Sequence, residues 1–300
     1  MKAIVLERGR GAEALKLKDV PKPLPRKGEV LVKVEAASVT RGDVALRKMP
    51  KAVLAVLGAA MGFKPMKVPG IEFAGSVEAI GSGVDGFLPG DLVAGTTTGL
   101  AYGANAEYVT VPVHSKKGVL LRRPAGVDAG RAAAVLVGGM TAQFLFDKAS
   151  LTSGDRVLIY GALGSVGSYA VQLAKIAGAH VTAVAREQDG ELLRSLFADE
   201  VLDYTAHDFA LPAAGFDLIF DAVGKLKGSQ IKAALKAGGR SVSVKAPTKE
   251  VEANARALLD HLAAGKLRVI VEREISLDGV SEAHRYVETG RKKGNIIIRV

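Results

Sequence analysis

The chain has 300 residues, 48% of them hydrophobic and 24% charged, enough for a sizeable core and for two domains of a soluble globular protein. It contains no cysteine, which excludes disulfides and every thiolate metal site. The net charge of +10 permits attraction to polyanions, but the basic residues are scattered and aromatic residues make up only 5%. Nucleic-acid binding is therefore not expected as the main role, and the charge reads as a basic solvated surface with a phosphate-bearing ligand.

The first residues, "MKAIVLERGR", lack the long apolar core of a signal peptide and read as a strand, and the apolar stretch 51–65 is too short to span a bilayer. A cytoplasmic protein is expected. Up to about residue 122 the sequence alternates in strand fashion, in "MKAIVLE", "LKLKDV", "EVLVKVEAASV", "FAGSVEAI", "DLVAGT" and "EYVTVP". Clusters of Gly, Pro, Asp and Asn punctuate these runs, as in "PKPLPRKGE" and "GSGVDGFLPG". Short strands at this spacing suggest a β barrel or sandwich, with a helical apolar insertion over 44–64.

From residue 127 the period changes. "VDAGRAAAVLVGGMTAQFLFDKA" predicts one or two helices with a break at Gly138–Gly139. Strand-like and helix-like runs then alternate from "DRVLIYG" to "RSVSVKA", the pattern of a doubly wound parallel sheet and hence an α/β fold. "KEVEANARALLDHLAAGK" is an amphipathic helix closed by Gly265, and the tail adds strand, helix and strand.

Between the strand "RVLIY" and the helix "SYAVQLAKIAG" stands "GALGSVG". Ala162, Gly164 and Gly167 occupy the three small positions of a dinucleotide-binding turn, with alanine replacing the first glycine. Missing Cβ atoms let a pyrophosphate approach the backbone, and the helix N-terminus with Ser165 and Val166 offers it free N–H groups. Glycines that only allow tight strand–helix packing are the alternative. The second strand ends 19 residues after Gly167 at Arg186, where an acidic side chain would hold an adenosine ribose. Arginine suits a 2′-phosphate, so NADPH is expected over NADH, although an ordinary exposed arginine reads the same way. "FDLIFDAVG" brings Val223 and Gly224 to the carboxyl end of a strand, where Gly224 either admits a nicotinamide or makes a turn.

"VTRGDVALR", "VPGIEFAGSVEAIGSGVDGFLPGDLV", "GANAEYVTVP", "GGMTAQFLF", "GALGSVGSYAVQLAK", "VLDYT", "FDAVG" and "HRYVETGRKKGNIIIRV" together resemble the medium-chain dehydrogenase/reductase superfamily. Within it the chain is most similar to the zinc-free quinone oxidoreductase-like branch, and the resemblance runs the length of the sequence. It implies a GroES-like domain over 1–122, completed by 261–300, and a Rossmann NADPH-binding domain over 123–260. The catalytic zinc ligands of zinc-dependent members fall on Thr40, Ile71 and Val137, a set that cannot hold Zn²⁺. No metal is expected. His114, His180, His207, His261 and His284 show no ligand spacing, and Ser165 lacks the surroundings of a hydrolase nucleophile.

The resemblance also assigns site residues. Thr40 and Asp43 are its catalytic candidates; the family tyrosine is Ala45 here, so either Tyr102, a third candidate, or water supplies the proton instead. Asp43 also reads as a turn-forming residue and Tyr102 as a loop aromatic. Thr141 matches a position beside the nicotinamide, Tyr204 packs either on the adenine side or in the core, and Lys293, Gly294 and Asn295 match a final loop near the cofactor. The expected reaction is hydride transfer from NADPH to a quinone or an α,β-unsaturated carbonyl, whose conjugation absorbs the arriving charge without a metal. The alternative is an NADPH-binding sensor or interaction protein with little turnover. Only "PTKE" separates the fifth strand from the long helix, so a sixth edge strand is not expected; this leaves a homodimer open but without its usual surface.

Overall fold

The computed structural model describes residues 1–7, 9–61, 67–97, 102–115, 117–207, 210–213 and 215–300. The chain opens with the hairpin of β1 (Lys2–Leu6) and β2 (Leu15–Asp19), followed by β3 (Glu29–Ser38), α1 (Arg41–Lys48) and α2 (Lys51–Met61). Next come β4 (Glu72–Ile80), β5 (Leu92–Thr96), β6 (Tyr108–Pro112) and β7 (Leu120–Arg122). Two helices, α3 (Ala129–Ala134) and α4 (Leu136–Ala149), lead to β8 (Arg156–Tyr160), α5 (Ser165–Ile176), β9 (His180–Ala185), α6 (Gly190–Ser195) and β10 (Glu200–Asp203). The sheet continues through β11 (Phe216–Asp221), α7 (Gly228–Ala234) and β12 (Leu235–Ser243); α8 (Glu252–Ala263), β13 (Val271–Ser276), α9 (Val280–Glu288) and β14 (Asn295–Arg299) complete the chain.

Two larger sheets organise these elements. One is parallel, in the order β10-β9-β8-β11-β12, and among the described residues no strand lies beyond β12. The other is mostly antiparallel, in the order β13-β14-β3-β4-β5-β7 with β6 also on β3. One edge of the long strand β3 is shared, since residues 29–33 pair with β6 and 36–38 with β14. The strands β13 and β14 thus build into the sheet begun by β3.

Two sequence expectations are corrected here. The helix break falls at Val135 rather than at the glycine pair, and Gly138–Gly139 lies inside α4. A Cβ on Gly138 would come within 2.6 Å of the Ser165 hydroxyl, and one on Gly139 within 2.9 Å of Leu258. The pair is there for close packing of α4 on α5 and α8. Secondly, β12 begins at Leu235, five residues ahead of "RSVSVKA", the run that reads as the fifth strand. The stretch Ala129–Ala149 is apolar enough by composition to cross a membrane, but 72% of its most apolar window is buried inside the protein. It is a core helix pair.

Gln172 ties the two halves together behind the parallel sheet. Its amide donates to the carbonyls of Ser168 and Arg268 at 2.9 and 3.0 Å, and its oxygen accepts from the Arg268 amide at 2.7 Å. Replacing it with leucine strips the carbonyl and the amide of Arg268 of this partner. The Gln172→Leu protein should lose about 1–3 kcal/mol of stability, read as a lower urea midpoint at unchanged slope. An unchanged midpoint would show that water satisfies both groups.

Candidate functional site

The strand β8 ends in a turn at Gly161, whose φ of +80° is a left-handed conformation that glycine adopts without strain. The tight-turn position thus belongs to Gly161, while Ala162, placed there from the sequence, is fully buried beneath the turn. A Cβ on Gly167 would meet the Gly161 carbonyl at 2.2 Å, so Gly167 lets α5 pack against the turn. Gly164 differs: a Cβ there would find nothing closer than 3.5 Å, so its outer side is open. Gly164 is also the N-cap of α5, and no side chain caps that end. The first amides of α5, from Ser165 and Val166 onward, are therefore available to an anion.

The C-terminal loop lies directly against this turn. The Gly294 amide donates to the Leu163 carbonyl at 2.7 Å, and Gly294 bridges Gly164 in parallel fashion. The Ser165 hydroxyl donates to the Asn295 side chain at 2.6 Å, and the Asn295 amide donates in turn to the Tyr169 hydroxyl at 2.9 Å and the Ile270 carbonyl at 3.2 Å. Lys293 reaches in a second direction, donating from Nζ to Asp189 at 2.5 Å. The other oxygen of Asp189 accepts from Arg186 Nε at 3.1 Å, just past the end of β9. Tyr204 follows β10 beside this point; at 45% exposure it is a surface ring, which removes the reading of a core tyrosine. Val223 packs over Gly161, while Gly224 has φ +76° and the space on its Cβ side is taken by the stem of Lys245. Gly224 is thus a turn glycine, its amide held by Asp221 at 2.7 Å.

The second cluster begins where β3 passes into α1. Thr40 is the N-cap of α1 and Asp43 its partner in a reciprocal capping box. The Thr40 amide and hydroxyl donate to the same Asp43 oxygen at 2.8 and 2.5 Å, and the Asp43 amide donates back to the hydroxyl at 3.2 Å. Thr40 therefore spends its hydroxyl proton on Asp43 instead of holding it ready for a substrate. The other Asp43 oxygen, and the hydroxyl of Tyr102, are buried with no hydrogen-bond partner among the described residues. Burial pushes Asp43 up to about 6, against the pull of Thr40 and of nearby amides. It also raises the Tyr102 phenol above its ordinary 10, and the charge of Asp43 adds to that rise. Tyr102 holds a left-handed backbone with φ 60°, uncommon for a residue other than glycine. Of the loops 40–64 and 96–104 that the sequence suggests for the substrate cleft, residues 62–64 and 98–101 lie outside the described residues.

Two functional candidates were missed by sequence reasoning. Glu72, at the start of β4, is buried, accepts from the Ser38 hydroxyl, and accepts from the Val137 amide at 2.7 Å. Burial pushes it up to about 7, opposed by those two donors and reinforced by the charge of Asp43. Lys292 donates to the Gly294 carbonyl, and burial brings its ammonium down to about 8 while the charges of Glu72, Glu272 and Asp43 resist. A glutamate in a strand and one lysine of a "KK" pair carry no motif; their neighbour in "GIE" and their place beside "GN" were the only signals. Through Val137 the cluster touches α4, on which the half-buried Thr141 stands about one turn further. Thr40, Ile71 and Val137 supply one engaged hydroxyl and two aliphatic chains, which is not a donor set for zinc.

A helix N-terminus opening on a glycine turn at the edge of a parallel sheet, together with a buried polar cluster on an antiparallel sheet, defines a dinucleotide-dependent oxidoreductase architecture. Comparison with known proteins gives the family. Residues 26–120 match the alcohol dehydrogenase GroES-like domain and residues 165–280 the zinc-binding dehydrogenase family. A chloroplastic quinone-oxidoreductase of Triphysaria versicolor is 31% identical over 97% of this chain and 95% of its own length. A chloroplastic NADPH-dependent alkenal/one oxidoreductase of Arabidopsis thaliana is 28% identical over 99% of this chain and 79% of its own. The solved quinone oxidoreductase of Coxiella burnetii superposes with a TM-score of 0.84 at 26% identity, covering 100% of this chain and 99% of that one. The chain belongs to the medium-chain dehydrogenase/reductase superfamily, a family of NAD(P)H-using oxidoreductases.

The two loop glycines should respond differently to alanine. Gly167→Ala, driven into a backbone carbonyl, should cost about 3 kcal/mol or more and lower the melting temperature. Gly164→Ala should melt as the wild type yet bind dinucleotide at least about tenfold more weakly by fluorescence titration, since its Cβ fills space left for the ligand. Equal binding would mean that no ligand approaches there.

Glu72 sets a pH dependence. Its carboxyl rises from an ordinary 4.5 to about 7, so its contribution to stability is fully present below 4.5 and is lost as pH rises through 7. Glu72→Gln should flatten the fall in melting temperature between pH 5 and pH 8, and an unaltered slope would contradict the burial argument.

Proposed function

We propose that the chain is a zinc-independent oxidoreductase that passes hydride from NADPH to a quinone or an α,β-unsaturated carbonyl. The observation that carries this reading is the open dinucleotide cradle at Gly164, coupled to a polar cluster whose three ligand positions hold Thr40, Ile71 and Val137. The cradle fits a pyrophosphate: an uncapped helix end, a glycine with free space on its outer side, and two cations at the end of β9. Gly164, Ser165, Val166 and Gly167 would hold it there, with Arg186 and Lys293 toward the adenosine end and Thr141 toward the nicotinamide. Bound NADPH supplies the hydride.

The protein's own groups deal with the charge that hydride delivery creates. Without a Lewis acid, an acceptor has to spread negative charge over a conjugated carbonyl, which simple ketones do not do. The Tyr102 hydroxyl, buried and unpartnered beside Asp43, is the donor with a free proton to offer that oxygen. Asp43, brought close to neutrality by its burial, takes up a proton near pH 6 and accepts the Thr40 proton above it. The names of the relatives, a quinone-oxidoreductase and an alkenal/one oxidoreductase, support the same acceptor class.

The test is NADPH oxidation followed at 340 nm against quinones, enones, alkenals and simple aldehydes. Turnover with conjugated acceptors, unaffected by chelators, is expected. Tyr102→Phe should lower kcat by about 100-fold or more with little change in NADPH affinity, in line with loss of one general acid. Saturable NADPH binding with no turnover on any acceptor would leave a sensor or interaction protein instead.

A further inference from the structure

Arg186 and Lys293 are 107 positions apart in sequence, yet one carboxylate holds both. Arg186 stands at the end of β9 and Asp189 closes the single 3₁₀ turn that follows, its amide donating to the Arg186 carbonyl at 2.9 Å. Positions three apart on such a turn eclipse one another, which puts the two side chains on one face. Asp189 is 5% exposed, and each of its oxygens is engaged, one by Arg186 Nε and one by Lys293 Nζ. The lysine is fixed from behind as well, since its backbone amide donates to Glu272 at 2.9 Å.

The contact made by Arg186 to Asp189 uses only the Nε edge of the guanidinium, and its two terminal amino groups make no hydrogen bond among the described residues. Lys293 keeps two of its three donors. Both side chains are 34% exposed while the carboxylate between them is covered. Two cations and one buried anion leave a local charge of +1 turned toward solvent. On the other side Lys293 is followed by Gly294, which lies against the glycine turn. The pair therefore stands between the pyrophosphate cradle and the end of β9, where the adenosine ribose of a bound dinucleotide belongs.

We infer that Asp189 is a positioning residue that assembles Arg186 and Lys293 into a two-armed clamp for the 2′-phosphate of the cofactor, and that it thereby sets the preference for NADPH over NADH. The guanidinium fork and the ammonium both match a dianionic phosphate, and the arm from the C-terminal loop couples its recognition to the segment that also holds the cradle. Asp189 sits three residues past the point where a carboxylate would accept from a ribose diol. Its engagement by two cations and its cover withdraw it from that task. The inference rests on the dinucleotide reading proposed above.

The experiment is equilibrium titration of NADPH and NADH by fluorescence, with 2′,5′-ADP and 5′-AMP by calorimetry, on the wild type, Asp189→Asn and Lys293→Met. Wild type should prefer NADPH. Lys293→Met should weaken 2′,5′-ADP by about tenfold and leave 5′-AMP unchanged, as for loss of one charge-assisted bond. Asp189→Asn, which keeps the shape but frees one arm, should narrow the NADPH/NADH affinity ratio by about fivefold or more, with 5′-AMP again unchanged. A ratio that stays the same or widens would overturn the inference, because the carboxylate would then be idle or competing with the phosphate. So would an equal loss for all four ligands, which marks a structural defect. Failure of the wild type to bind either dinucleotide would instead sink the underlying reading of the cradle.

Discussion

The buried side chain of Asn295 holds three parts of the molecule in one arrangement: the Ser165 hydroxyl at the mouth of α5, the Tyr169 hydroxyl one turn deeper, and the Ile270 carbonyl on the returning chain. A buried amide that loses a partner costs about 1–3 kcal/mol, so these bonds form together or are lost together. Tyr169 extends the network by donating to the Ala134 carbonyl at 2.9 Å, at the end of α3. The glycine turn is thus not a free loop. Its geometry is fixed from the opposite sheet, and an anion arriving at Gly164 meets amides already aimed at it.

Burial dominates the polar groups of the second cluster. Asp43, Glu72 and Lys292 are each driven toward neutrality, to about 6, 7 and 8; Glu72 also feels the charges of Asp43 and Lys292, and Lys292 those of Glu72 and Asp43. In zinc-dependent members a cation would set the local field and keep carboxylates ionised. Here aliphatic Ile71 and Val137 stand in those places, and the shifts of the neighbouring groups follow from burial and from one another's charges.

Much of this was legible in the sequence because local patterns coincide with the tertiary ones. The alternation in "EVLVKVEAAS" and the apolar run "RVLIY" each became the strand their period indicated, and "GALGSVG" fell between strand and helix. What could not be read depends on distant partners. Gly138–Gly139 resembles a helix break until Ser165 and Leu258 are seen against it. The true turn glycine, Gly161, has the same composition as its neighbours and differs only in φ. Glu72 becomes informative through Val137, 65 residues away, and Asp189 through Lys293, 104 residues away. Thr40 and Asp43 were found by motif, but only their mutual bonding shows that they form a helix cap.

The shared edge of β3 has a bearing on how the molecule is made. During synthesis β3 and β4 emerge before the parallel sheet, whereas β14 emerges after all of it. Until then residues 36–38 of β3 lack the strand that covers them, and β13 has no neighbour to pair with. The parallel sheet, formed entirely from residues 156–243, suffers no such delay. The nascent chain therefore completes its second folding unit before its first, and for that interval carries an open strand edge of the kind that chaperones cover.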